Sequence, residues 1–312
     1  MANVVVTGGA GFIGNHLVRA LVKLGNAVRV VDDFSTGRRQ NLADLARDIE
    51  IHEVSICDMA RLAPVFENVD VCYHQAALAS VARSVVDPVL TNHINVSGTL
   101  NVFMACRDAA VRRVVYASSS SVYGNAREMP LHEGIPTQPI SPYAASKAAD
   151  ELYANTFGDL YGLEFVGLRY FNVFGPLQDP NSPYSAAIPI FITRMLQGQT
   201  PIIFGTGKQS RDFVYVDNIV MANIQAGYHE GTLSGVFNIG SEYAMSLLEM
   251  VKHLNQIMNT TLEPEFGPPR PGDVDISLAD ISSAREAFGY TPLVDTEEGL
   301  RRTVTWYAEN KM

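Results

Sequence analysis

The sequence predicts an α/β fold, a doubly wound parallel sheet followed by a smaller α/β C-terminal region. Three observations carry that reading. Apolar, β-branched strands alternate with amphipathic helices through residue 172. Those strands are apolar on both faces, as strands covered by helices on either side are. A glycine-rich turn joins the first strand to the first helix.

The first strand is "NVVVT", in which Val4, Val5 and Val6 suit a buried pleated surface. "GGAGFIG" is the turn. Ile13, Leu17, Ala20, Leu21 and Leu24 then recur at helical spacing, and Gly25 stops the helix. "AVRVVDD" is the second strand. "VDVCYHQAA" predicts another strand, "NHINVSGTLNVFMACRDA" a helix, and "VRRVVYASSS" a strand that ends in serines. A helix opens at "SPYAASK" and reaches about Tyr161, and "LEFVGLRYFNVFG" reads as one strand.

After Gly175 the texture changes. "PLQDPNSPYSAAIP" reads as a loop and "IPIFITRMLQGQ" as a helix. "QSRDFVYVDNIVMANIQAG" reads as a strand and a helix that Asp217 caps. "GVFNIG" is one more strand, and "SLLEMVKHLNQIM" a helix starting near Ser246. Residues 1–172 are therefore expected to form one domain, to which 213–240 return. Residues 173–312 are expected to form the second region.

Composition narrows the function. The chain has 312 residues, 47% apolar and 18% charged, which suits a packed core and argues against disorder. Lys and Arg number 23 against 33 Asp and Glu, a net charge of −10 that disfavours nonspecific binding to nucleic acid. Cys57, Cys72 and Cys106 form no C-x-x-C pair and read as buried thiols of a reducing compartment. No apolar run reaches the roughly 18 residues of a membrane span. "MANVVVTGG" lacks the basic start of a signal peptide. The expectation is a soluble cytoplasmic protein with no nucleic-acid or membrane partner and no metal.

Gly8, Gly11 and Gly14 stand between strand and helix, where glycine lets the backbone approach a pyrophosphate. The helix start at Phe12 and Ile13 offers unpaired N–H groups and a partial positive charge. Asp32, at the end of the second strand, suits the two ribose hydroxyls of an adenosine and repels a 2′-phosphate. The predicted cofactor is NAD, although Arg38 and Arg39 stand close enough to bear on that choice.

Tyr143 and Lys147 share a helix face, four residues apart. A free phenol has a pKa near 10 and is a poor base at neutral pH. A neighbouring ammonium and a nicotinamide cation both favour phenolate. A shift of about three units takes about 4 kcal/mol, within what two such charges supply. The serines of "YASSSS" end a parallel strand, the edge on which ligands of such sheets bind.

"TGGAGFIG", "SSSSVYG" and "YAASK", in this order, resemble the extended short-chain dehydrogenase/reductase superfamily across nearly the whole chain. "RYFNVFGPLQDPNSPYSAAIP", "SRDFVYVDN" and "RPGDVDISLAD" resemble the UDP-sugar 4-epimerases, and "HQAALASVARSVVDP" is similar to those acting on UDP-N-acetylglucosamine. The resemblance implies a Rossmann domain and epimerisation at C4 through a 4-keto sugar that turns over in the cleft. It makes Tyr143 the base, Lys147 its partner and Ser119, five residues before Gly124, the catalytic hydroxyl, with Ser120 as the fallback. Asn172, Arg211 and Arg270 would hold the substrate diphosphate, guanidinium forks being matched to phosphate. Asp273 would hold a ribose and Phe204 would lie on the uracil. Ala76, Asn95 and Tyr170 would line the cofactor, with Ser55 and Ile56 near the adenine. Ser55 replaces the acidic residue common there in the family. Ser277 falls where enzymes restricted to non-acetylated hexoses often carry tyrosine, so both substrate classes are expected. The family pairs the helices around Asn92–Ala109 and Tyr143–Tyr161 across a two-fold axis, which implies a homodimer. The alternatives are a nucleotide-sugar 4,6-dehydratase, a UDP-glucuronate decarboxylase or a nonenzymatic NAD-sensing protein. The first two would want a carboxylate where Ser120 and Ser121 stand. The last would dispense with the tyrosine or the lysine.

Overall fold

The computed structural model describes residues 1–180, 186–268 and 276–310. Arg270 and Asp273 lie outside the described residues. The chain begins with β1 (Asn3–Thr7), α1 (Phe12–Lys23), β2 (Ala27–Asp32), β3 (Ile49–Glu53), α2 (Met59–Leu62) and β4 (Val71–His74). It continues through α3 (Val81–Val86), α4 (Pro88–Asn92), α5 (Thr99–Asp108), β5 (Arg113–Ser119), α6 (Pro142–Tyr161) and β6 (Glu164–Tyr170). The remainder is β7 (Asn172–Phe174), α7 (Ala187–Leu196), β8 (Ile202–Phe204), β9 (Ser210–Tyr215), α8 (Val216–Tyr228), β10 (Gly235–Ile239), β11 (Ala244–Ser246), α9 (Leu247–Met258), β12 (Glu265–Gly267), β13 (Ile276–Ser277), α10 (Ser282–Phe288) and α11 (Thr296–Asn310).

Seven strands form one sheet in the order β10–β6–β5–β4–β1–β2–β3, parallel throughout. The order reverses between β1 and β4, and a crevice at such a switch is where an open α/β sheet binds its ligand. Each face carries its own core. Leu17, Leu21 and Val18 of α1 pack with Ile219, Ala222 and Ala226 of α8 over one face. Val102, Phe103 and Cys106 of α5 and Ala154 of α6 cover the other. A third core joins α7, α9 and α11 to a small sheet in which β7, β11 and β13 each pair with β9.

Local chemistry explains most element ends. Ser246 and Glu249 form a reciprocal capping box at the start of α9. Gly162, in the left-handed conformation, closes α6. Arg113 is fully buried and donates to the carbonyls of Ala226 (2.7 Å), His229 (2.9 Å) and Gly231 (2.7 Å), so its guanidinium closes the end of α8 while Glu164 neutralises it.

Three local expectations differ from the structure. "LEFVGLRYFNVFG" is two strands, because Phe171 N–H bonds the carbonyl of Ile239 and the chain then leaves the large sheet for the small one. Asp217 lies in the first turn of α8 and Tyr215 takes the cap position, without a side-chain bond. The segment His93–Gly98 is a π turn leading into α5. Among the described residues no helix is long and apolar enough to cross a membrane.

Candidate active site

A cleft of about 510 Å³ runs along the carboxyl ends of β1, β2, β4, β5 and β6. At its phosphate end the turn after β1 is shaped by glycine. Gly8 has φ +68°, and a Cβ there would meet the backbone of Ala76 at 2.7 Å. A Cβ on Gly14 would lie 2.1 Å from the carbonyl oxygen of Gly8, so only glycine lets α1 sit this close to its strand. Gly11 is the N-cap of α1 and no side chain caps it. The first N–H groups of α1 therefore remain for a ligand, and Phe12 and Ile13 line the cleft beside them.

Asp32 is buried, and its carboxylate accepts from the N–H of Ala10 (2.9 Å) and of Phe34 (2.8 Å). Burial pushes its pKa up, and those two N–H groups oppose the rise. Both nearby arginines already face carboxylates. Arg38 bonds Asp179 across the cleft at 2.7 Å. Arg39 pairs with Glu53 at 2.5 Å and stacks over the Phe34 ring at 3.9 Å. With both guanidinium charges matched and Asp32 and Asp33 lining the same end, the site favours a ribose bearing hydroxyls over one bearing a phosphate. Ile56 lines the cleft beyond. Ser55 does not, and its hydroxyl accepts from Cys57 N–H at 3.3 Å.

At the other end stand Ser119, Tyr143, Lys147, Ala76 and Tyr170. Ser119 closes β5, and its hydroxyl accepts from Ser121 N–H at 3.2 Å. Ser120 does not line the cleft. Tyr143 is half-buried in the first turn of α6, whose N-terminus Ser141 caps. Lys147 is one turn further, buried, with its ammonium 3.2 Å from Asp150. Tyr170 bonds Gln75 and Asn223 through its hydroxyl, and burial raises its pKa. Asn95 is fully buried behind the cleft. It bonds both backbone groups of Leu78, at 2.8 and 3.3 Å, and Ser146 at 3.1 Å, and so ties the loop after β4 to α6.

Beneath these groups lie residues that the sequence did not single out. Glu151 grips Arg169 with both oxygens (2.9 and 2.7 Å) and accepts from Ser118 at 2.6 Å. Arg169 also donates to Tyr123, which donates to Asn238. This network locks the serine strand to α6. His74 lies between the hydroxyls of Thr7 (2.6 Å) and Thr99 (2.9 Å). The available signal was positional, since Glu151 falls one turn after Lys147 on the same helix face.

Of the remaining predicted residues, Asn172, Phe204, Arg211 and Ser277 do not line the cleft itself, which reaches the second region at Val173, Leu177, Gln178, Asp179 and Ala186. Asn172 opens β7 and donates to the carbonyl of Asp212 at 3.3 Å. Arg211 lies opposite Ser277 in the register of β9 and β13, and Ser277 is buried. Phe204 ends β8 against Gly267 of β12. The small sheet thus brings Asn172, Arg211 and Ser277 onto adjacent strands.

Comparison with known proteins agrees with this geometry. The model of the NAD dependent epimerase/dehydratase family matches residues 4–240. The chain is similar to a UDP-glucose 4-epimerase of Mycolicibacterium smegmatis, 40% identical and covering 97% of each chain. It superposes on a UDP-N-acetylglucosamine 4-epimerase of Methanobrevibacter ruminantium, solved with UDP-N-acetylmuramic acid, with a TM-score of 0.95, 42% identity and coverage of 100% and 99%. It superposes likewise on the UDP-glucose 4-epimerase of Thermus thermophilus in complex with NAD, with a TM-score of 0.90, 37% identity and 98% of each chain covered.

Proposed function

The chain belongs to the NAD dependent epimerase/dehydratase family, and from that premise we propose that it interconverts the C4 epimers of a UDP-hexose, acetylated or not, through a 4-keto sugar. It is an NAD-dependent enzyme of the UDP-sugar 4-epimerase kind. The observation that carries the reading is the cleft at the β1/β4 switch, which gathers a glycine-shaped phosphate turn, Asp32, Ser119, Tyr143 and Lys147 along one surface.

In this reading the N–H groups at the start of α1 hold the pyrophosphate of NAD and Asp32 holds the adenosine ribose. Ile56 flanks the adenine, Ala76 and Tyr170 lie beside the nicotinamide half, and Asn95 holds the loop that carries Ala76. NAD, when bound, supplies a reversible oxidation at C4. Tyr143 takes the proton of the 4-hydroxyl and later returns it. Lys147 supplies the charge that favours phenolate, and Ser119 shares a hydrogen bond at the same oxygen. Asn172, Phe204 and Arg211, with Arg270 and Asp273, grip the nucleotide. Ser277 leaves room for an acetamido group.

A tight grip on the nucleotide and a loose one on the hexose is what turning the 4-keto sugar requires. The free thiols Cys57, Cys72 and Cys106 suit the reducing cytoplasm, where we place the reaction. We also assign a homodimer. Its face would be built by α3, α4 and α6, which leave Val86, Val89, Leu152 and Leu160 between 68% and 77% exposed.

The test is direct. Purified protein incubated with UDP-N-acetylglucosamine should yield UDP-N-acetylgalactosamine by chromatography, and Tyr143→Phe should abolish that conversion while leaving NAD bound. A product that has lost water or carbon dioxide would replace the epimerase with one of its relatives. Normal turnover by the phenylalanine variant would remove Tyr143 as the base.

A further inference from the structure

Asp150 stands three residues after Lys147 and is as deeply buried as the lysine it meets. Its Oδ2 lies 3.2 Å from the ammonium. Its Oδ1 is buried without a hydrogen-bond partner, with the Thr99 hydroxyl beside it. Two buried opposite charges at this distance are strongly coupled, because water screens them little. The surroundings leave Lys147 as the group that answers Asp150. From β4, His74 is neutral, its pKa lowered by burial and by the charge of Lys147 itself. From β5, Tyr116 is buried, with its phenol held protonated. From β6, Arg169 faces Asp150's helix but is gripped by both oxygens of Glu151. Thr99 of α5 offers only a hydroxyl. Tyr170 is the other phenol near Tyr143, and burial keeps its proton on.

Resting on the reading of Tyr143 as base and Lys147 as its charged partner, we infer that Asp150 is the counter-ion of Lys147 and sets the pH at which Tyr143 ionises. It is a positioning residue acting through Lys147. The reasoning is electrostatic. Tyr143 becomes a base because positive charge favours its phenolate. An ionised Asp150 cancels much of the lysine's field at the phenol, so less of the ammonium's charge is left to favour phenolate. The positive charge of bound oxidised cofactor then carries more of the burden, which ties formation of the base to occupancy of the site. Burial pushes the Asp150 carboxyl up to about 6, so the damping acts from neutral pH upward and fades in acid.

The experiment uses Asp150→Asn, which keeps shape and a lone pair for the ammonium but removes the charge. The phenolate of Tyr143 is titrated by its ultraviolet band, as the difference between each protein and its Tyr143→Phe counterpart, and kcat is followed against pH. The expected result is a fall of the Tyr143 midpoint by about half a unit to one unit, with the same displacement of the acid limb of kcat. Asp150→Glu should stay near the unmodified protein. A purely structural role predicts no displacement in the asparagine variant, and an unchanged or raised midpoint overturns the inference. Should Asp150→Asn fail to fold, Asp150→Ala carries the same titration. Full activity in Tyr143→Phe would instead sink the reading of the base, and this inference with it. A dead Tyr143→Phe with an unmoved midpoint in Asp150→Asn would sink this inference alone.

Discussion

His74 shows how single residues carry the electrostatics of this protein. It is wholly buried between two threonine hydroxyls, and burial together with the charge of Lys147 pushes its pKa down to about 3. The unfolded chain binds a proton at a histidine near pH 6.5, and the folded chain refuses it. His74 therefore contributes stability that is present above about pH 6.5 and is lost as pH falls toward 3, at about 1.4 kcal/mol per pH unit. Asp150 and Asp212 act in the opposite sense. Burial pushes both up to about 6, so their contribution is full in acid and is lost as pH rises through that value. Urea unfolding of the protein and of His74→Gln across this window should show the margin between them narrowing as pH falls. A constant margin would mean that His74 titrates alike in both states. None of these three buried groups announces itself in the sequence, where a histidine on an apolar strand or an aspartate after a lysine has no visible partner.

Among elements, α6 and β13 teach different lessons. The start and length of α6 were legible, since Ser141 as cap, Pro142 at the first helical position and Gly162 at the end are local signals. So was the pairing of Tyr143 with Lys147 on one face. β13 is two residues long and exists because it pairs with β9, which sets Ser277 opposite Arg211. In the proposed reading that position determines which sugars fit. Ser277→Tyr should cut kcat/KM for UDP-N-acetylglucosamine at least about tenfold more than for UDP-glucose, since a pocket contact is worth roughly that in discrimination. A thermal melt of the same variant separates pocket filling from overpacking, which costs about 1–3 kcal/mol in a tight site. Equal losses on both sugars would show that Ser277 does not shape the sugar pocket.

At the scale of the whole molecule, one surface asks for a partner. α3 and α4 pack against α6, and the three leave Val85, Val86, Val89, Leu152 and Leu160 facing outward together with Tyr153 and Tyr161. Large apolar side chains exposed on neighbouring helices suit an interaction site. The sequence expectation named the helices around Asn92–Ala109 and Tyr143–Tyr161; in the structure α4 ends at Asn92, and α5 turns Val102, Phe103 and Cys106 into the protomer. We expect light scattering to give twice the 34.1 kDa chain mass, and Val89→Asp with Leu160→Glu to halve it. A monomer at every concentration would sink the assignment.

What the sequence determined by itself is what short spacing can encode. A glycine turn, an acidic strand end and a phenol one turn from an amine need only local geometry, and the residues they single out line one cleft. Tertiary structure alone decided the rest. It put β4 beside β1 and so opened the crevice. It sent the chain from one sheet to the other at Phe171, sealed Arg169 onto Glu151, and buried Asp150 against Lys147 beneath Thr99. Those outcomes depend on which distant segments share a dry interior, where an unmatched charge is too costly to leave alone.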